Sequence, residues 1–457
     1  MAHPPDLLPY RRIHLVGAGG SGMSGLAKLM AGMGYAVTGS DLKPGRTLDG
    51  LSDVGVETWI GHRPERVGDW DLVVASSAVP ERDPELSAAE AAGVPVWRRP
   101  ALLRAVTAAI PTLGIAGTHG KTSSTALTVT ALRSCGFDPT FLVGGEMIAL
   151  GTGAHLGVDD VFVLEADEAF GTFRHLILDG LMVANIEADH LDYYRNVAAL
   201  EEAFAQVATG TKGPIVGCLD DPGVRRLSQR APVVGYGTSP DATWRIADIE
   251  HEAWAARFTL TGPAGRHEVS VPRPGAHTAR NAAGVLALIG EFGYDLDCAV
   301  AGLAESAGVR RRYELRAEVG GIAIIDDYAH HPTEVSASVT AARRNGATSV
   351  WVVFQPHRYT RTADLAPEFG APLAQADRVI VTDVYAAGEA PIPGVSGKLV
   401  AEAVAAAGGD VQYEAQLRNV PAMLAEQLAP GDVVLLLGAG DVTSIADDLA
   451  AEIGGSG

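Results

Sequence analysis

Short apolar runs recur along the chain, and most are followed by a glycine-rich or polar turn and then by a segment with helical periodicity. The clearest runs stand in the strings RIHLVGAGG, TLGIAGTHG, VFVLEADE, SVWVVFQP and DVVLLLGAG. Continuous apolar runs of this length predict strands buried on both faces, and their alternation with helices predicts parallel sheets. The pattern therefore indicates an α/β protein, in which ligands gather at the carboxyl ends of the strands.

The runs fall into three series. The second series starts with the strand before GTHGKT, and the third starts after GVRRRYELR. A length of 457 residues agrees with three domains, since domains average roughly 150 residues. We expect an N-terminal Rossmann-like domain over 1–107, a central domain with a P-loop ATPase-like parallel sheet over 108–313, and a C-terminal Rossmann-like domain over 314–457.

Composition points to a globular protein with no membrane or nucleic-acid partner. Apolar residues make up 47% of the chain, and no apolar run is long enough to span a bilayer. The start, MAHPPDLLPYRR, lacks the order of a secretory signal, so we expect a cytoplasmic protein. A net charge of -20 argues against nucleic acid, whose phosphates need a basic face. An anionic substrate must then be held by local arginines, helix N-termini or metal.

The three cysteines, Cys135, Cys218 and Cys298, lie far apart and form no C-x-x-C pair. This spacing suggests neither a disulfide framework nor a zinc site. We expect all three to behave as small apolar residues.

The first glycine turn, GAGGSG, follows the first strand and opens a helix, and Asp41 ends the next strand. This is the dinucleotide-binding fingerprint, which on its own suggests a nicotinamide-dependent dehydrogenase. The physical content is narrower, because such a turn binds a diphosphate, and UDP-sugars also contain one. His62 and Ser76 stand at further strand ends, where they are either ligand contacts or ordinary turn residues.

The second glycine turn, GTHGKT, also lies between a strand and a helix, but the strict P-loop pattern is absent because Ile115 replaces its first glycine. Lys121 supplies a charge for phosphates, and Thr122 supplies a hydroxyl oxygen for Mg²⁺. The loop residues predicted to bind the nucleotide are Gly117, Thr118, His119, Gly120, Lys121, Thr122 and Ser123. The alternative is an ordinary turn with a solvent-facing lysine.

Two acid-rich turns follow this loop within 75 residues. EADE brings Glu165 to one strand end, and NIEADH brings His190 to another. One acidic turn alone is usually a solvated loop. Together, a lysine, a threonine, a carboxylate and a histidine at neighbouring strand ends are the side chains expected in a magnesium-nucleotide site.

The remaining polar clusters contain histidines and arginines. His277 and Asn281 lie four residues apart at the start of a predicted helix, where they cap, pack or touch a nucleotide. Arg310 precedes the third series. Strand ends in that series carry a further set of polar residues: Asp327, Tyr328, His330, His357, Arg358 and Arg361. In an otherwise acidic chain, we expect the arginines and histidines to bind anions.

Taken in order, these strings resemble the Mur ligases of peptidoglycan synthesis. The resemblance covers nearly the whole chain through GAGGSGMSG, GTHGKT, EADE, NIEADHLD, GVRRRYE, DDYAHHPTEV, FQPHRYTRT, DVYAAGEAPIPG and LGAGDVT. It implies an enzyme that uses ATP and Mg²⁺ to join L-alanine to the lactyl carboxylate of UDP-N-acetylmuramate through an acyl phosphate. We also expect a monomer or weak homodimer with only small-molecule partners.

The resemblance assigns roles by position. Residues implied to bind the sugar nucleotide are Gly17, Gly19, Gly20, Ser21, Gly22, Asp41, His62 and Ser76. Lys121 is implied to hold the ATP phosphates, with Thr122 and Glu165 on one Mg²⁺ and His190 on a second. Contacts to ATP are implied for His277, Asn281, Arg310 and Asp327, and contacts at the amino-acid end for Tyr328, His330, Arg358 and Arg361.

This chain departs from the family after EADE, where Ala169 and Phe170 stand in place of the frequent Ser-Asp. Contacts near the substrate are therefore expected to differ. Other readings are a ligase that recycles a ready-made tripeptide onto the same sugar nucleotide, a nicotinamide-dependent dehydrogenase, and a catalytically silent binding protein. FQPHRYTRT speaks against the recycling ligase, and the second and third series have no purpose in a dehydrogenase.

Overall fold

The computed structural model describes residues 9–252, 254–344 and 346–455. They form two compact units. The first covers Met1–Ala247, Thr259–Val269 and Arg280–Ala307, and the second covers Asp248–Phe258, Ser270–Ala279 and Gly308–Gly457. The start of the chain, where we expect no secretory signal, lies mostly outside the described residues. Among the helices of the described part, none is long and apolar enough to cross a membrane.

The first sheet has five parallel strands in the order β3-β2-β1-β4-β5. Its strands are β1 (Arg12–Val16), β2 (Ala36–Asp41), β3 (Glu57–Ile60), β4 (Leu72–Ala75) and β5 (Val96–Arg98). Its helices are α1 (Ser21–Gly32), α2 (Arg46–Asp49), α3 (Pro84–Ala91) and α4 (Arg99–Ala109). The central position of β1 places the first glycine turn at the middle of the carboxyl edge.

The second sheet is built around β6, which carries the second glycine turn. Its strands are β6 (Thr112–Ala116), β7 (Thr140–Met147), β8 (Thr152–His155), β9 (Phe162–Glu165), β10 (Gly180–Val183), β11 (Ile215–Cys218), β12 (Val233–Gly237), β13 (Trp244–His251), β14 (Ala256–Gly262) and β15 (Gly265–Val271). Strand β6 lies between β9 and β10, and both neighbours are parallel to it. The acidic turns after β9 and β10 therefore flank the GTHGKT loop, as the sequence predicts.

Helices follow the strands of this region at the expected places. They are α5 (Lys121–Ser134), α6 (Leu191–Tyr194), α7 (Val197–Gly210), α8 (Pro222–Ser228), α9 (Ala276–Glu291) and α10 (Leu296–Ala304). The cores of the first and second sheets are continuous, because Ile13 and Leu15 of β1 share one buried cluster with Leu142, Phe162 and Leu164. This shared core explains why the two sheets form one compact unit.

The third sheet has the order β16-β17-β21-β18-β19-β20, with only β16 antiparallel to its neighbour. Its strands are β16 (Glu314–Val319), β17 (Ile322–Asp327), β18 (Val350–Phe354), β19 (Arg378–Val381), β20 (Val411–Tyr413) and β21 (Val433–Leu437). Its helices are α11 (Pro332–Arg344), α12 (Tyr359–Leu373), α13 (Lys398–Ala406), α14 (Val420–Ala425) and α15 (Ile445–Gly455). The predicted α/β class with largely parallel sheets is confirmed, whereas the boundaries at 107 and 313 stay a prediction.

The prediction for the cysteines is wrong for two of them. Cys135 and Cys298 form a disulfide, although 163 residues separate them in the chain. Cys135 directly follows α5 and Cys298 lies in α10, and the packing of these helices brings the two Cα atoms to 5.1 Å. Sequence spacing gives no sign of this packing. Cys218 is a free, buried thiol, and burial raises its pKa to about 11.

Candidate active site

The first glycine turn is fixed to the end of the next strand. The backbone N–H of Gly19 donates to Oδ2 of Asp41 at 2.9 Å, and the backbone N–H of Ser76 donates to the carbonyl of Val16 at 3.0 Å. Helix α1 begins at Ser21, directly after the turn, without an acidic residue in its first turn. The structure thus brings the Gly17–Gly22 turn, Asp41 and Ser76 together, and it shows that Asp41 braces the turn's own backbone.

A buried polar network lies near His62, and sequence reasoning missed it. The ring of His62 is 3.5 Å from Oδ2 of Asp83 and 3.9 Å from Oε2 of Glu85. Glu85 is fully buried and accepts hydrogen bonds from the Trp59 indole and the Ser40 hydroxyl. Burial raises the pKa of Glu85, but hydrogen bonds from His14, Ser40 and backbone outweigh it and lower the pKa to about 2.

The second glycine turn is braced by Asn185, a residue that the sequence analysis did not single out. The Asn185 amide accepts from the backbone N–H of His119 at 2.7 Å and donates to the carbonyl of the same residue at 3.0 Å. Gly120 has φ +81°, a conformation that side chains with a Cβ rarely adopt. Helix α5 begins immediately afterwards at Lys121, so the free N–H groups of its first turn point toward the loop.

Lys121 is largely buried, and its ammonium group has three hydrogen-bond acceptors. Its Nζ donates to the carbonyls of Gly117 at 2.7 Å and Thr118 at 3.2 Å, and to the carboxylate of Glu168 at 2.9 Å. Burial alone lowers the pKa of Lys121, but Glu168 and its neighbouring carboxylates raise it well above its usual value. The lysine therefore carries a positive charge at neutral pH. Tyr194 fixes the acidic turn that carries Glu168, since its hydroxyl donates to the carbonyl of Glu168 at 2.6 Å.

Oxygen and nitrogen ligands suited to divalent cations lie in two adjacent places. The Thr122 hydroxyl donates to Glu165 at 3.2 Å, and the other carboxylate oxygen of Glu165 accepts from the backbone of Gly144 at 2.8 Å. Ligand atoms of Asp167, Glu168 and His190 lie within 4.8 Å of one another. Carboxylate and hydroxyl oxygens are the ligands that Mg²⁺ prefers, so both donor sets fit the ion.

Asn281 of α9 approaches the second glycine turn. A Cβ at Gly120 would lie only 2.8 Å and 2.9 Å from the amide atoms of Asn281, which places this side chain directly against the loop. His277 lies one helical turn earlier on α9. Asn281 is therefore positioned to act together with Lys121, which immediately follows Gly120.

The departure at Phe170 changes the surface near these residues. Phe170 has φ +54° and is 61% exposed, and its ring meets Tyr193 edge to face at 6.2 Å. The segments that carry the two rings follow Glu168 and His190. An apolar pair thus stands where a carboxylate is frequent in the family, and its effect on substrate contacts stays a prediction.

In the second unit, acids and aromatic rings gather after β17. Asp327 is buried and accepts from the hydroxyl of Ser338. Burial raises the pKa of Asp327 to about 6, although the hydrogen bond from Ser338 and the charge of Arg312 act to lower it. The guanidinium carbons of Arg311 and Arg312 lie 5.0 Å and 4.9 Å from the ring centroid of Tyr328, within the range of cation–π contacts.

His330 and His357 form the centre of this cluster, with ring centroids 6.0 Å apart. The pKa of each is lowered to about 4, chiefly by burial and also by nearby arginines, so both rings are neutral at pH 7. Nδ1 of His330 is 2.9 Å from the carbonyl of Tyr328. Since a carbonyl only accepts, Nδ1 carries the hydrogen and Nε2 carries the lone pair.

The predicted anion-binding arginines of this unit are partly paired already. Arg310 donates to Glu314 at 2.6 Å, and Arg358 donates to Glu389 at 2.6 Å. Arg361 lies in the first turn of α12, and its positive charge lowers the pKa of His330. The carboxylate partners Glu314 and Glu389 are further residues that sequence reasoning missed.

Family models match almost the whole described chain. They are described as the Mur ligase family catalytic domain, matching residues 12–110, the Mur ligase middle domain, matching 115–289, and the Mur ligase glutamate ligase domain, matching 311–440. The chain belongs to the Mur ligase family. The resemblance drawn from the sequence strings is thereby confirmed.

Relatives within the Mur ligase family match over nearly their full length. A protein of Acidothermus cellulolyticus named UDP-N-acetylmuramate-L-alanine ligase is 42% identical, over 98% of this chain and 96% of its own. One of Mycolicibacterium vanbaalenii with the same name is 43% identical, over 99% and 98%. The crystal structure of UDP-N-acetylmuramate-alanine ligase from Thermotoga maritima matches with a TM-score of 0.83 and 27% identity, over 98% of this chain and 100% of the other.

Proposed function

We propose that this Mur ligase uses ATP to join L-alanine to the lactyl carboxylate of UDP-N-acetylmuramate. The observation that carries the proposal is the convergence of Lys121, Thr122, Glu165 and His190 at three neighbouring strand ends, in a chain about 42% identical to ligases named for this reaction. Each of the four supplies a different part of a phosphoryl-transfer site.

In the first step, the lactyl carboxylate attacks the γ-phosphorus of ATP and releases ADP, which leaves an acyl phosphate. Phosphoryl transfer depends mainly on positioning and on neutralising charge. Lys121 supplies the positive charge by exchanging its bond with Glu168 for one with a phosphate oxygen. Mg²⁺, held by Thr122 and Glu165 with a second ion at His190, supplies further charge neutralisation when it is bound.

In the second step, the amine of L-alanine attacks the acyl carbon and phosphate leaves. The amine must be neutral, so a base has to accept its proton. The lone pair on Nε2 of His330 can accept it, because the ring is neutral and its Nδ1–H is already bonded to the Tyr328 carbonyl. Substituting His330 with alanine is then expected to slow amide formation more than acyl-phosphate formation, and equal slowing would contradict this role.

Binding roles complete the proposal. The turn Gly17–Gly22 and the start of α1 hold the sugar nucleotide with Asp41, His62 and Ser76. Contacts to ATP are assigned to the residues His277, Asn281, Arg310 and Asp327. The amino-acid end is assigned to Tyr328, Arg358 and Arg361. A cytoplasmic location and a monomer or weak homodimer belong to the same proposal.

The test is release of phosphate from Mg-ATP in the presence of UDP-N-acetylmuramate, with L-alanine, with the tripeptide L-Ala-γ-D-Glu-meso-diaminopimelate, or with no amine. Turnover that requires L-alanine supports the proposal. Turnover with the tripeptide alone identifies a recycling ligase, and no turnover with either amine overturns the proposal.

A further inference from the structure

The disulfide between Cys135 and Cys298 lies in the wall of a surface cavity. The cavity has a volume of about 530 Å³, and its lining consists of residues 134–137, residues 293–295 and Cys298. Neither cysteine of the disulfide is fully buried, whereas the free Cys218 is only 2% exposed. The bond is therefore accessible from solvent, although it joins two helices that pack against each other.

Open space adjoins the bond on the side of the cavity. A Cβ added at Gly136 or at Gly293 would meet no described atom within 4 Å, so the backbone beside Cys135 is uncovered. Phe137 and Tyr294 give the cavity an aromatic wall, since their rings meet edge to face with centroids 5.1 Å apart. Cavities that hold small molecules have volumes of about 300 to 1,000 Å³. The cavity thus has room for a small molecule next to the sulfur atoms.

The two sulfur atoms differ in how well they leave as a thiolate, which decides where an attacking thiol adds. Cys298 is the third residue of α10, where the helix dipole and the free N–H groups stabilise a negative charge. Cys135 directly follows α5, at the negative end of that helix, and the nearby Arg133 is paired with Asp138 at 2.6 Å. The carboxylate of Asp297 opposes the effect at Cys298, but it is 90% exposed and solvent screens its charge. Cys298 is therefore the better leaving group.

We propose that this disulfide is a thiol-exchange site, in which a low-molecular-weight thiol enters the cavity and forms a mixed disulfide with Cys135. The thiolate of the small molecule attacks Sγ of Cys135, and a new S–S bond forms as the bond to Cys298 breaks. Cys298 leaves with the electron pair as a thiolate. A second small thiol then attacks the small-molecule sulfur of the mixed disulfide, which frees Cys135 and releases a small-molecule disulfide. The protein gains two electrons and two protons, and two small thiols are oxidised to one disulfide.

The exchange site is separate from the proposed active site. Helix α5 begins at Lys121 and ends beside Cys135, and its 14 residues hold the two apart by about 20 Å, given a rise of about 1.5 Å per residue. Bound Mg-ATP should therefore not protect the disulfide from a small thiol. The proposal depends on the disulfide and the cavity alone, so failure of the proposed ligase activity would leave it standing.

The test exposes the folded protein to glutathione, blocks free thiols with N-ethylmaleimide at set times, and maps the peptides by mass spectrometry. The expected product carries glutathione on Cys135 and N-ethylmaleimide on Cys298. Cys218 reports unfolding, because it is buried and reacts only when the fold opens, so its modification should be at least about 10-fold slower. Modification of all three cysteines at one rate would show that the bond opens only in the unfolded chain, and would overturn the proposal. Glutathione on Cys298 in place of Cys135 would also overturn it.

A trapping variant tests the mixed disulfide directly. In Cys298→Ser treated with glutathione disulfide, the adduct on Cys135 should persist, because no second protein thiol displaces the glutathione. In the reduced unsubstituted protein the same adduct should be lost quickly as Cys298 closes the bond again, and the matched control Cys218→Ala should behave in the same way. No lasting adduct in Cys298→Ser would overturn the proposal. Strong protection of the disulfide by Mg-ATP would place the small thiol at the nucleotide loop and would overturn it as well.

Discussion

The two glycine turns of the first unit have the same backbone plan and opposite electrostatic arrangements. Each joins a central parallel strand to a helix, and each is held by a side chain from a neighbouring strand end, Asp41 for the first turn and Asn185 for the second. In the first turn, the Asp41 carboxylate accepts from a backbone N–H, and the guanidinium of Arg99 packs against Gly22 with its Nε making no hydrogen bond to any described residue. In the second, the cation Lys121 is neutralised by Glu168.

This difference follows from what each turn has to do. A turn that only binds its ligand binds it more tightly with an unpaired cation, because the cation has no protein partner that the ligand must displace. A turn that takes part in phosphoryl transfer uses its cation on a group whose charge changes during the reaction, and a carboxylate partner keeps the buried lysine charged between turnovers. We therefore expect substitutions in the two turns to separate into effects on chemistry and effects on substrate binding.

The largest effect is expected from Lys121→Met, which removes the cation of the second turn. Turnover should fall by about 10⁴-fold because the charge on the transferring phosphoryl group is no longer neutralised. The Kd of the sugar nucleotide should change little, since the first turn is intact. Steady-state assays and calorimetry measure the two quantities. Lys212→Met is the control, because Lys212 is exposed and forms a surface ion pair with Asp179. An equal loss of sugar-nucleotide binding would show that the two turns are not independent.

The second turn also differs in how its helix ends, because the disulfide joins the end of α5 to α10 and α1 has no such link. A bond across 163 residues restricts the unfolded chain strongly. Replacing both Cys135 and Cys298 with serine should lower the free energy of unfolding by about 2 to 4 kcal/mol. Reductant should destabilise the unsubstituted protein and leave the double variant unaffected. Equal sensitivity of both proteins to reductant would contradict this stabilising role.

The pH dependence of stability tests the charge of Glu85, which accepts from the hydroxyl of Ser40, the residue whose carbonyl accepts from the backbone of the first turn. Its pKa is lowered from 4.5 to about 2 in the folded state, so its ionised form stabilises the fold above pH 4.5, and this stabilisation is lost as pH falls toward 2. Glu85→Gln should therefore cost about 2 to 3 kcal/mol at pH 7 and progressively less below pH 4.5. Unfolding measured across this range checks the slope. Glu90→Gln is the control on the exposed side of α3, and a difference independent of pH would contradict the ionised state.

The strands, both glycine turns and the acidic strand ends could be predicted from the sequence, because each is formed by a continuous stretch of residues. Partners that come from distant segments were missed for the same reason. Asn185, Arg99 and Glu85 are ordinary residues in the sequence. They become significant only in the folded chain, which places the first two against a glycine turn and the third in the buried network near His62. The pairing of Cys135 with Cys298 likewise depends on how α5 packs against α10, which no local spacing reports.

The smallest effects, and the most direct test of the comparison, come from removing the brace of each turn in parallel. Asp41→Ala frees the N–H of Gly19, and Asn185→Ala frees the backbone of His119. Each loss of order should raise one KM by about ten-fold: that of the sugar nucleotide for Asp41→Ala, and that of ATP for Asn185→Ala. Asp41→Asn should recover most of its loss, because an amide oxygen still accepts from Gly19. If either alanine variant raises both KM values equally, the structural change at one turn spreads through the core shared by the two sheets, and the two turns are not independent binding sites.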